Sequence, residues 1–331
     1  MCCREALHCA FDVVGDNLQR TAQLSMSSST VREIVENQGR AALAAQQSGA
    51  LSPGFTAADC TAETIITGTD GVMVPMVTEE QKRKRRATEA AKRAEQERAS
   101  TAQVGRPKTG SEGPYSEFKI ASFYDPDKSH CHVVGTSGDH EALGRLLRRE
   151  AARLQLGRAK VKYAVTDGAE WIPRVYRRQL PMLDEHILDY FHLREHVVEA
   201  SHVLYGEGTK KAENWREEMM GFVWEQGSLV MLDRLGPYLR CHRNGPKHEA
   251  LKSLRDYVGK RVAMTDYPTF RQLGYDCGSG PTESLCGTLT ERLKGPGMRW
   301  DKDNAESMMA LASLNQSGLW QTYWESERAA A

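Results

Sequence analysis

Hydrophobic and polar positions follow two different periods along this chain. Short runs rich in Val, Ile and aromatic residues predict strands over 63–77, 118–124, 130–134, 161–166 and 186–189. Apolar residues at helical spacing predict helices over 139–154, 173–180, 190–205 and 213–257, and a last long helix from Pro281. This order of elements is typical of an α/β fold, in which a mixed sheet is flanked by helices.

The first 60 residues are predicted to form a short helical region. Residues 16–38 fit two short helices around a Ser-rich break, with a small shared core that would contain Ala22, Leu24, Val31, Ile34 and Val35. Such a pair is either a DNA-binding helix-turn-helix or a helical hairpin with no DNA role, and the pattern leaves both open.

Charge is balanced overall but segregated along the chain. The 44 basic and 44 acidic residues give a formal net charge of zero, whereas DNA-binding proteins usually have a basic excess. Residues 81–110 nevertheless carry ten Lys or Arg against three Glu, so we expect a solvated basic insertion over 79–114. The basic run in this insertion consists of Lys82, Arg83, Lys84, Arg85 and Arg86. These residues either contact DNA phosphates or simply form a solvated helix face.

Apolar runs, the first residues and the cysteines indicate the compartment and the redox state to expect. No apolar run of 18 residues occurs, and the first residues lack the layout of a secretory signal, so we expect a cytoplasmic protein with no membrane partner. The eight cysteines are scattered without a CxxC pair, which favours reduced thiols. A group at the amino terminus could be part of a zinc module, although it lacks zinc-finger spacing: Cys2, Cys3, His8 and Cys9.

Three carboxylates stand at positions suited to a shared site. Asp70 and Asp167 each belong to an Asp-Gly pair at a predicted strand, and neighbouring strands would bring both to one point. Each pair could instead be a turn. Glu283 lies in the first turn of the helix that starts at Pro281, where it could alternatively complement the helix dipole.

Carboxylates from three parts of a chain are suited to metal-dependent phosphodiester chemistry. Two divalent cations about 3.5–4 Å apart can activate an attacking oxygen and stabilise a leaving oxygen. Mg²⁺ and Mn²⁺ prefer such hard oxygen ligands. We therefore expect Asp70, Asp167 and Glu283 to be catalytic and to bind two Mg²⁺ or Mn²⁺ ions.

Several blocks of the sequence resemble DDE transposases of bacterial insertion sequences, specifically the Kra-type group related to the Mutator-like transposases. The similarity extends in order over residues 60–324, and its blocks are 69–78, 116–125, 138–147, 166–172, 187–196 and 278–311. Residues 292–306 form the most specific part.

The resemblance implies a ribonuclease H-like catalytic domain that cleaves transposon ends and joins the freed 3′-hydroxyl to target DNA. It implies that Asp70, Asp167 and Glu283 are the acidic triad. It also implies that Asp189 and His192 match a short Asp-x-x-His motif, in which Asp189 would support the site and His192 would contact DNA or brace Asp189.

Domain boundaries and further DNA contacts complete these expectations. A helical insertion over 206–275 would separate the first part of the catalytic domain, 61–205, from the helices of 276–331. A DNA path beside Glu283 would be lined by Arg292, Lys294, Arg299 and Trp300. Trp300 could stack on a base or belong to the core. The active form is expected to be a homo-oligomer on DNA.

Two other functions remain open at this level. His192, Glu195 and His196 spell the HxxEH pattern of some zinc metallopeptidases, in which two histidines bind zinc and the glutamate is the general base. Relatives of the transposase group often carry a longer amino-terminal DNA-binding region. The second alternative is therefore a truncated copy that binds DNA without cutting it.

Overall fold

The computed structural model describes residues 1–78, 80–81, 83–84, 87–88, 91, 114–295 and 298–330. Within these residues, five strands form one mixed sheet in the order β3-β2-β1-β4-β5. The strands are β1 (Thr64–Pro75), β2 (Tyr115–Tyr124), β3 (Cys131–Thr136), β4 (Val161–Thr166) and β5 (Glu185–Leu188). Strands β1, β2 and β3 pair antiparallel, whereas β1, β4 and β5 run parallel. The predicted mixed sheet flanked by helices is confirmed.

Helices precede, interrupt and follow the sheet. Those in the described part of the chain are α1 (Cys2–Glu5), α2 (Phe11–Ala22), α3 (Ser28–Ser48), α4 (His140–Arg153), α5 (Trp171–Gln179), α6 (Tyr190–Tyr205), α7 (Lys210–Gln226), α8 (Ser228–Cys241), α9 (Gly245–Gly259), α10 (Tyr267–Gln272), α11 (Gly280–Lys294), α12 (Lys302–Gln316) and α13 (Trp320–Ala330). None of these helices is both long and apolar enough to cross a membrane.

The two faces of the sheet pack against different helices. Side chains alternate along a strand, so Ile66, Gly68 and Asp70 of β1 share one face. That face contacts α11 and α12 at one end and the helices α6 to α10 at the other. The opposite face buries a separate core with α4 and α5, which includes Ile65, Phe123, Leu143, Leu147, Ile172 and Val175.

The amino-terminal helices do not form a separate unit. Val31 and Val35 are buried as expected, but Leu24 is 48% exposed. Helix α3 packs closely on α12, where a Cβ on Gly39 would lie 2.8 Å from Ser307. Buried residues of α1 to α3 join one hydrophobic cluster with β1, β2, α11 and α12. This shared core favours a role in the fold over that of an independent DNA-binding module.

Two local predictions need correction. Strand β1 continues through Asp70 and Gly71 to Pro75, so this Asp-Gly pair lies inside a strand and is not a turn. Pairing with β2 on one side keeps this stretch extended. The helical span predicted over 213–257 is divided at Gly227, whose φ of 86° ends α7, and again between α8 and α9. The basic insertion predicted over 79–114 lies largely outside the described residues.

Candidate active site

Two of the predicted acids lie side by side on parallel strands. Thr67 of β1 pairs with Ala164 of β4, so continuing the register by three residues brings Asp70 opposite Asp167. Asp167 directly follows β4, and its Oδ1 accepts a hydrogen bond from the Ala169 backbone nitrogen at 3.1 Å. The Oδ1 of Asp70 accepts one from the nitrogen of Gly71 at 2.6 Å. The sheet thus presents two carboxylates on one face.

Helix α11 brings Glu283 to the same face because it rests directly on the sheet. A Cβ on Gly68 would lie only 1.9 Å from Oγ1 of Thr282, so the absence of a side chain at Gly68 permits this approach. The Thr282 hydroxyl also hydrogen-bonds Ser122 of β2 at 2.9 Å. The next residue is Glu283, whose charge acts on Asp70.

Asp189 ties the beginnings of two helices to the end of the sheet. Its carboxylate is fully buried and accepts hydrogen bonds from the backbone nitrogens of Phe191 at 2.6 Å, His192 at 3.0 Å and Ser279. The first two bonds cap α6, and the third fixes the residue that precedes α11. Asp189 therefore sets the position from which both His192 and Glu283 extend.

His192 and Glu283 face each other across this junction. Nε2 of His192 lies 3.6 Å from Oε1 of Glu283, and its Nδ1 lies 3.3 Å from Oε2 of Glu195. The Ser279 hydroxyl donates to the same Glu283 oxygen at 2.9 Å. Both helices thus contribute to the orientation of one carboxylate.

The electrostatics of the site favour a bound cation. Burial raises the pKa of Asp70, the hydrogen bond from Gly71 opposes that shift, and the charges of Asp167 and Glu283 add to it. Burial likewise raises the pKa of Asp167, opposed by the Ala169 hydrogen bond and by the His192 charge. Half-buried carboxylates that repel one another are stabilised by a hard divalent ion, which prefers oxygen ligands.

The spacing of the acids bears on how many ions they could hold. In the described part of the chain, the three metal-ligating side chains whose ligand atoms all lie within 4.8 Å of one another are Cys60, Asp125 and His130. Asp70, Asp167 and Glu283 are spaced more widely than this. An ion shared by all three acids would therefore need their side chains to move closer together.

Arg261 is a residue of this region that the sequence did not reveal. It is 5% exposed, and its guanidinium donates to the carbonyl of Gly168 through Nε at 3.0 Å and also through Nη2. It stacks on Tyr257 at 3.9 Å, and a Cβ on Gly168 would meet the Tyr257 hydroxyl at 2.0 Å. Arg261 thereby holds the loop that carries Asp167. No motif marks it, because it follows a long helical segment far from Asp167 in sequence.

Cys286 is a second residue that motif analysis missed. It lies one helical turn after Glu283, is buried, and is close enough to Asp70 to feel the charge of that carboxylate. Burial and the Asp70 charge both raise the pKa of this thiol, which favours its neutral form. The spacing of three residues on α11 could have indicated it.

The predicted DNA-contacting residues differ in exposure. Arg83 and Lys84 are exposed, and Lys84 forms an ion pair with Glu80 at 2.8 Å. Lys294 is exposed and Arg299 is partly buried. Lys82, Arg85 and Arg86 lie outside the described residues. DNA contacts by all of these residues remain predictions.

Arg292 and Trp300 occupy the core instead of a surface groove. The Arg292 Nε donates to the carbonyl of Ala6 at 3.0 Å, and its guanidinium lies 5.3 Å from the ring centroids of both Phe11 and Trp300. Trp300 is 7% exposed and its backbone bridges to Met76 beyond the end of β1. Their burial under the amino-terminal helices favours the core alternative and leaves no face for base stacking in this arrangement.

The HxxEH pattern does not assemble a zinc site in the described residues. The ring of His196 lies 3.8 Å from that of Tyr257, and its Nδ1 is 3.7 Å from Glu199, whereas His192 faces Glu195 and Glu283. The candidate zinc ligands at the amino terminus do not share one environment either. Cys3 is buried, whereas His8 lies near Glu291. Within the described residues, neither the HxxEH residues nor the amino-terminal group brings three ligand atoms within 4.8 Å of one another.

The chain is similar to known proteins in sequence and in structure. No family model matches the chain. The "UPF0236 protein in vanSb 3′region" of Streptococcus gallolyticus is 31% identical over 84 residues, which are 25% of this chain and 19% of that protein. Among solved structures, the Drosophila P element transposase strand transfer complex is similar over 98% of this chain and 80% of that chain, with 12% identity and a TM-score of 0.31. The match to the streptococcal protein therefore spans about a fifth of its length.

Proposed function

We propose that this protein is a DDE transposase that cleaves DNA at the ends of a mobile element and transfers the strand into target DNA. The proposal is supported by the placement of Asp70, Asp167 and Glu283 toward one face of the sheet. Asp70 lies in β1, Asp167 directly follows the neighbouring parallel strand β4, and Glu283 comes from a helix seated on β1. Their sequence blocks resemble the transposase group named above.

The sheet supports a ribonuclease H-like domain. Three antiparallel strands are followed by two parallel ones, and the acids lie at β1 and at the end of β4. All described elements between residues 206 and 275 are helical or irregular, as an insertion before Glu283 requires. The Kra-type assignment rests on the sequence blocks.

The proposed reaction assigns a part to each residue near the acids. Asp70, Asp167 and Glu283 would hold two Mg²⁺ or Mn²⁺ ions, which supply activation of the attacking oxygen and stabilisation of the leaving oxygen. His192 restrains Glu283, and Asp189 fixes the helices that carry both residues. These restraints keep the carboxylates in place before DNA arrives, which limits the reorganisation that the reaction needs.

DNA is the proposed partner, and a homo-oligomer is the proposed active form. Phe191 is 60% exposed directly beside His192, which offers an aromatic surface for an unpaired base at the site. Lys294 at the end of α11 and Arg83 after β1 offer exposed positive charge for phosphates.

A nicking assay tests the proposal. The substrate is a supercoiled plasmid that carries the DNA flanking the reading frame, incubated with the full chain in Mg²⁺ or Mn²⁺. Asp70→Asn, Asp167→Asn and Glu283→Gln should each reduce nicking by about a hundredfold or more, because each removes an ion ligand. Circular dichroism should show an unchanged fold.

Glu291→Gln is the matched control, because Glu291 is an exposed carboxylate on the same helix as Glu283. It should nick like the wild type. Full activity in any one triad variant would remove that residue from the site. Zinc-dependent peptide cleavage that is lost in Glu195→Gln would instead favour the metallopeptidase alternative.

A further inference from the structure

A second group of metal-ligating side chains lies near the start of β1, away from Asp70. Cys60 belongs to the segment that enters β1, and Asp125 and His130 stand at the two ends of the turn between β2 and β3. One ligand atom from each of the three lies within 4.8 Å of the others. They join chain segments that are 65 residues apart in sequence (Cys60 to Asp125).

The turn holds Asp125 in a defined orientation. Its Oδ1 accepts from the His130 backbone nitrogen at 2.9 Å, and its Oδ2 accepts from the Ser129 hydroxyl at 2.8 Å and lies 2.9 Å from Nδ1 of His130. Asp125 is fully buried, whereas the His130 side chain is about one-third exposed. The group therefore has a fixed carboxylate on its inner side and access to water on its outer side.

Cys60 adds a thiol to this arrangement, and the contact between Asp125 and His130 does not depend on it. It is 6% exposed, and its Sγ makes only a long contact to the Thr56 carbonyl at 3.5 Å. The same two segments are also joined by a hydrogen bond from Thr61 to Asp127 at 2.7 Å. Their approach is thus fixed independently, and the thiol remains available as a ligand.

We propose that Cys60, Asp125 and His130 bind a zinc ion, with water in the fourth position. Thiolate and imidazole ligands suit zinc and disfavour Mg²⁺ or Mn²⁺. Bonds of about 2.0–2.3 Å in a tetrahedral shell set ligand atoms about 3.6 Å apart. Shifts of about an ångström in these side chains reach that spacing. Such an ion would fasten the entry of β1 to the β2–β3 turn.

Metal analysis of the full chain, purified under reducing conditions, tests this site. The wild type should carry about one zinc per chain, and chelation should lower its Tm, because an ion that binds only the folded state stabilises it. Cobalt exchanged into the protein should show thiolate-to-cobalt charge transfer. Cys60→Ser should abolish that band, and His130→Ala should abolish zinc retention.

The neighbouring thiol provides the matched control. Cys131 follows His130 directly but is not one of the three ligands, so Cys131→Ser should keep both the zinc and the cobalt band. The proposal is overturned if the wild type takes up neither metal, if Cys60→Ser retains the cobalt band, or if the loss occurs in Cys131→Ser. Glu283→Gln should retain zinc, so a failure of this site and a failure of the nicking proposal are distinguishable.

Discussion

At the residue scale, the acidic site has an electrostatic cost that can be measured without DNA. Burial raises the pKa of both Asp70 and Asp167, and their ordinary pKa is 3.8. Between that value and the raised one, the folded state binds more protons than the unfolded state. The free energy of unfolding therefore falls as the pH rises through this window.

Removing one of these charges should stabilise the metal-free protein at neutral pH. We expect Asp70→Asn or Asp167→Asn to raise Tm by a few degrees in chelator at pH 7, because an amide has no charge to desolvate. The gain should shrink as the pH approaches 3.8. Added Mn²⁺ should raise the wild-type Tm more than that of either variant. A lower Tm of both variants in chelator would contradict this account.

Asp189 illustrates a buried carboxylate whose task is to accept hydrogen bonds. In Asp189→Asn, one oxygen can still accept from Phe191 and His192, but an NH₂ group would face the Ser279 nitrogen. We expect the free energy of unfolding to fall by about 1–3 kcal/mol in denaturant titrations, because two donors would oppose each other. Nicking should fall as the start of α11 loosens.

Asp139 offers the comparison for that variant. It caps α4 through a single bond, in which its Oδ1 accepts from the Ala142 nitrogen at 2.9 Å. Asparagine caps helices about as well as aspartate, so Asp139→Asn should change stability by less than about 0.5 kcal/mol. Equal effects of the two substitutions would argue against a special anchoring part for Asp189.

At the element scale, the contact between β1 and α11 determines where Glu283 lies. Gly68 of β1 has room for no side chain under Thr282. The residue after Thr282 is the predicted acid, so a displacement of the helix here is transmitted directly to Glu283. Helix position and site geometry are therefore coupled at one glycine.

Gly68→Ala should consequently impair both stability and nicking. Its Cβ would lie 1.9 Å from Thr282 Oγ1 and 2.9 Å from Thr282 Cβ, and such overpacking costs about 1–3 kcal/mol. Denaturant titration and the nicking assay measure the two effects. Adding Thr282→Ala should restore part of each, because it removes the obstructing hydroxyl and methyl groups.

Gly287 on the same helix serves as the control position. Nothing lies within 4 Å of a Cβ added there, and alanine is favoured over glycine inside a helix by about 0.5–1 kcal/mol. Gly287→Ala should therefore be neutral or stabilising and remain active. If Gly68→Ala behaved in the same way, the close approach of α11 to β1 would not be what positions Glu283.

At the scale of the whole molecule, the amino-terminal helices share one core with the sheet face that carries the predicted acids. Arg292 at the end of α11 contacts α2 through Phe11 and the segment after α1 through the Ala6 carbonyl. A guanidinium in this position links the first residues of the chain to the helix that carries Glu283. Helices α1 to α3 are thereby part of the support of the site.

Arg292→Ala distinguishes a structural role of Arg292 in the core from the DNA contact that the sequence predicted. We expect the free energy of unfolding to fall by about 2–4 kcal/mol, since a buried carbonyl loses its donor and two cation–π contacts are lost. The salt dependence of DNA binding should not change. Lys294→Ala, two residues further on and exposed, should leave stability within about 0.5 kcal/mol. If Arg292→Ala left stability unchanged but made DNA binding less dependent on salt concentration, the DNA contact expected from the sequence would be supported instead.

Local sequence patterns predicted most of the strands and helices, because hydrophobic period depends only on local order along the chain. The spans 161–166 and 190–205 match β4 and α6 as observed. The sequence also determined which acids to consider, since Asp70, Asp167 and Glu283 lie in distinctive blocks. Those inferences need no knowledge of which segments meet.

The surroundings of each of these residues depend on tertiary packing. Arg261 reaches Gly168 across 93 residues, Arg292 is buried by helices from the other end of the chain, and Cys60 meets Asp125 through strand pairing. Contacts over such separations depend on how helices pack on a sheet, and the local periodicity of a sequence does not encode them.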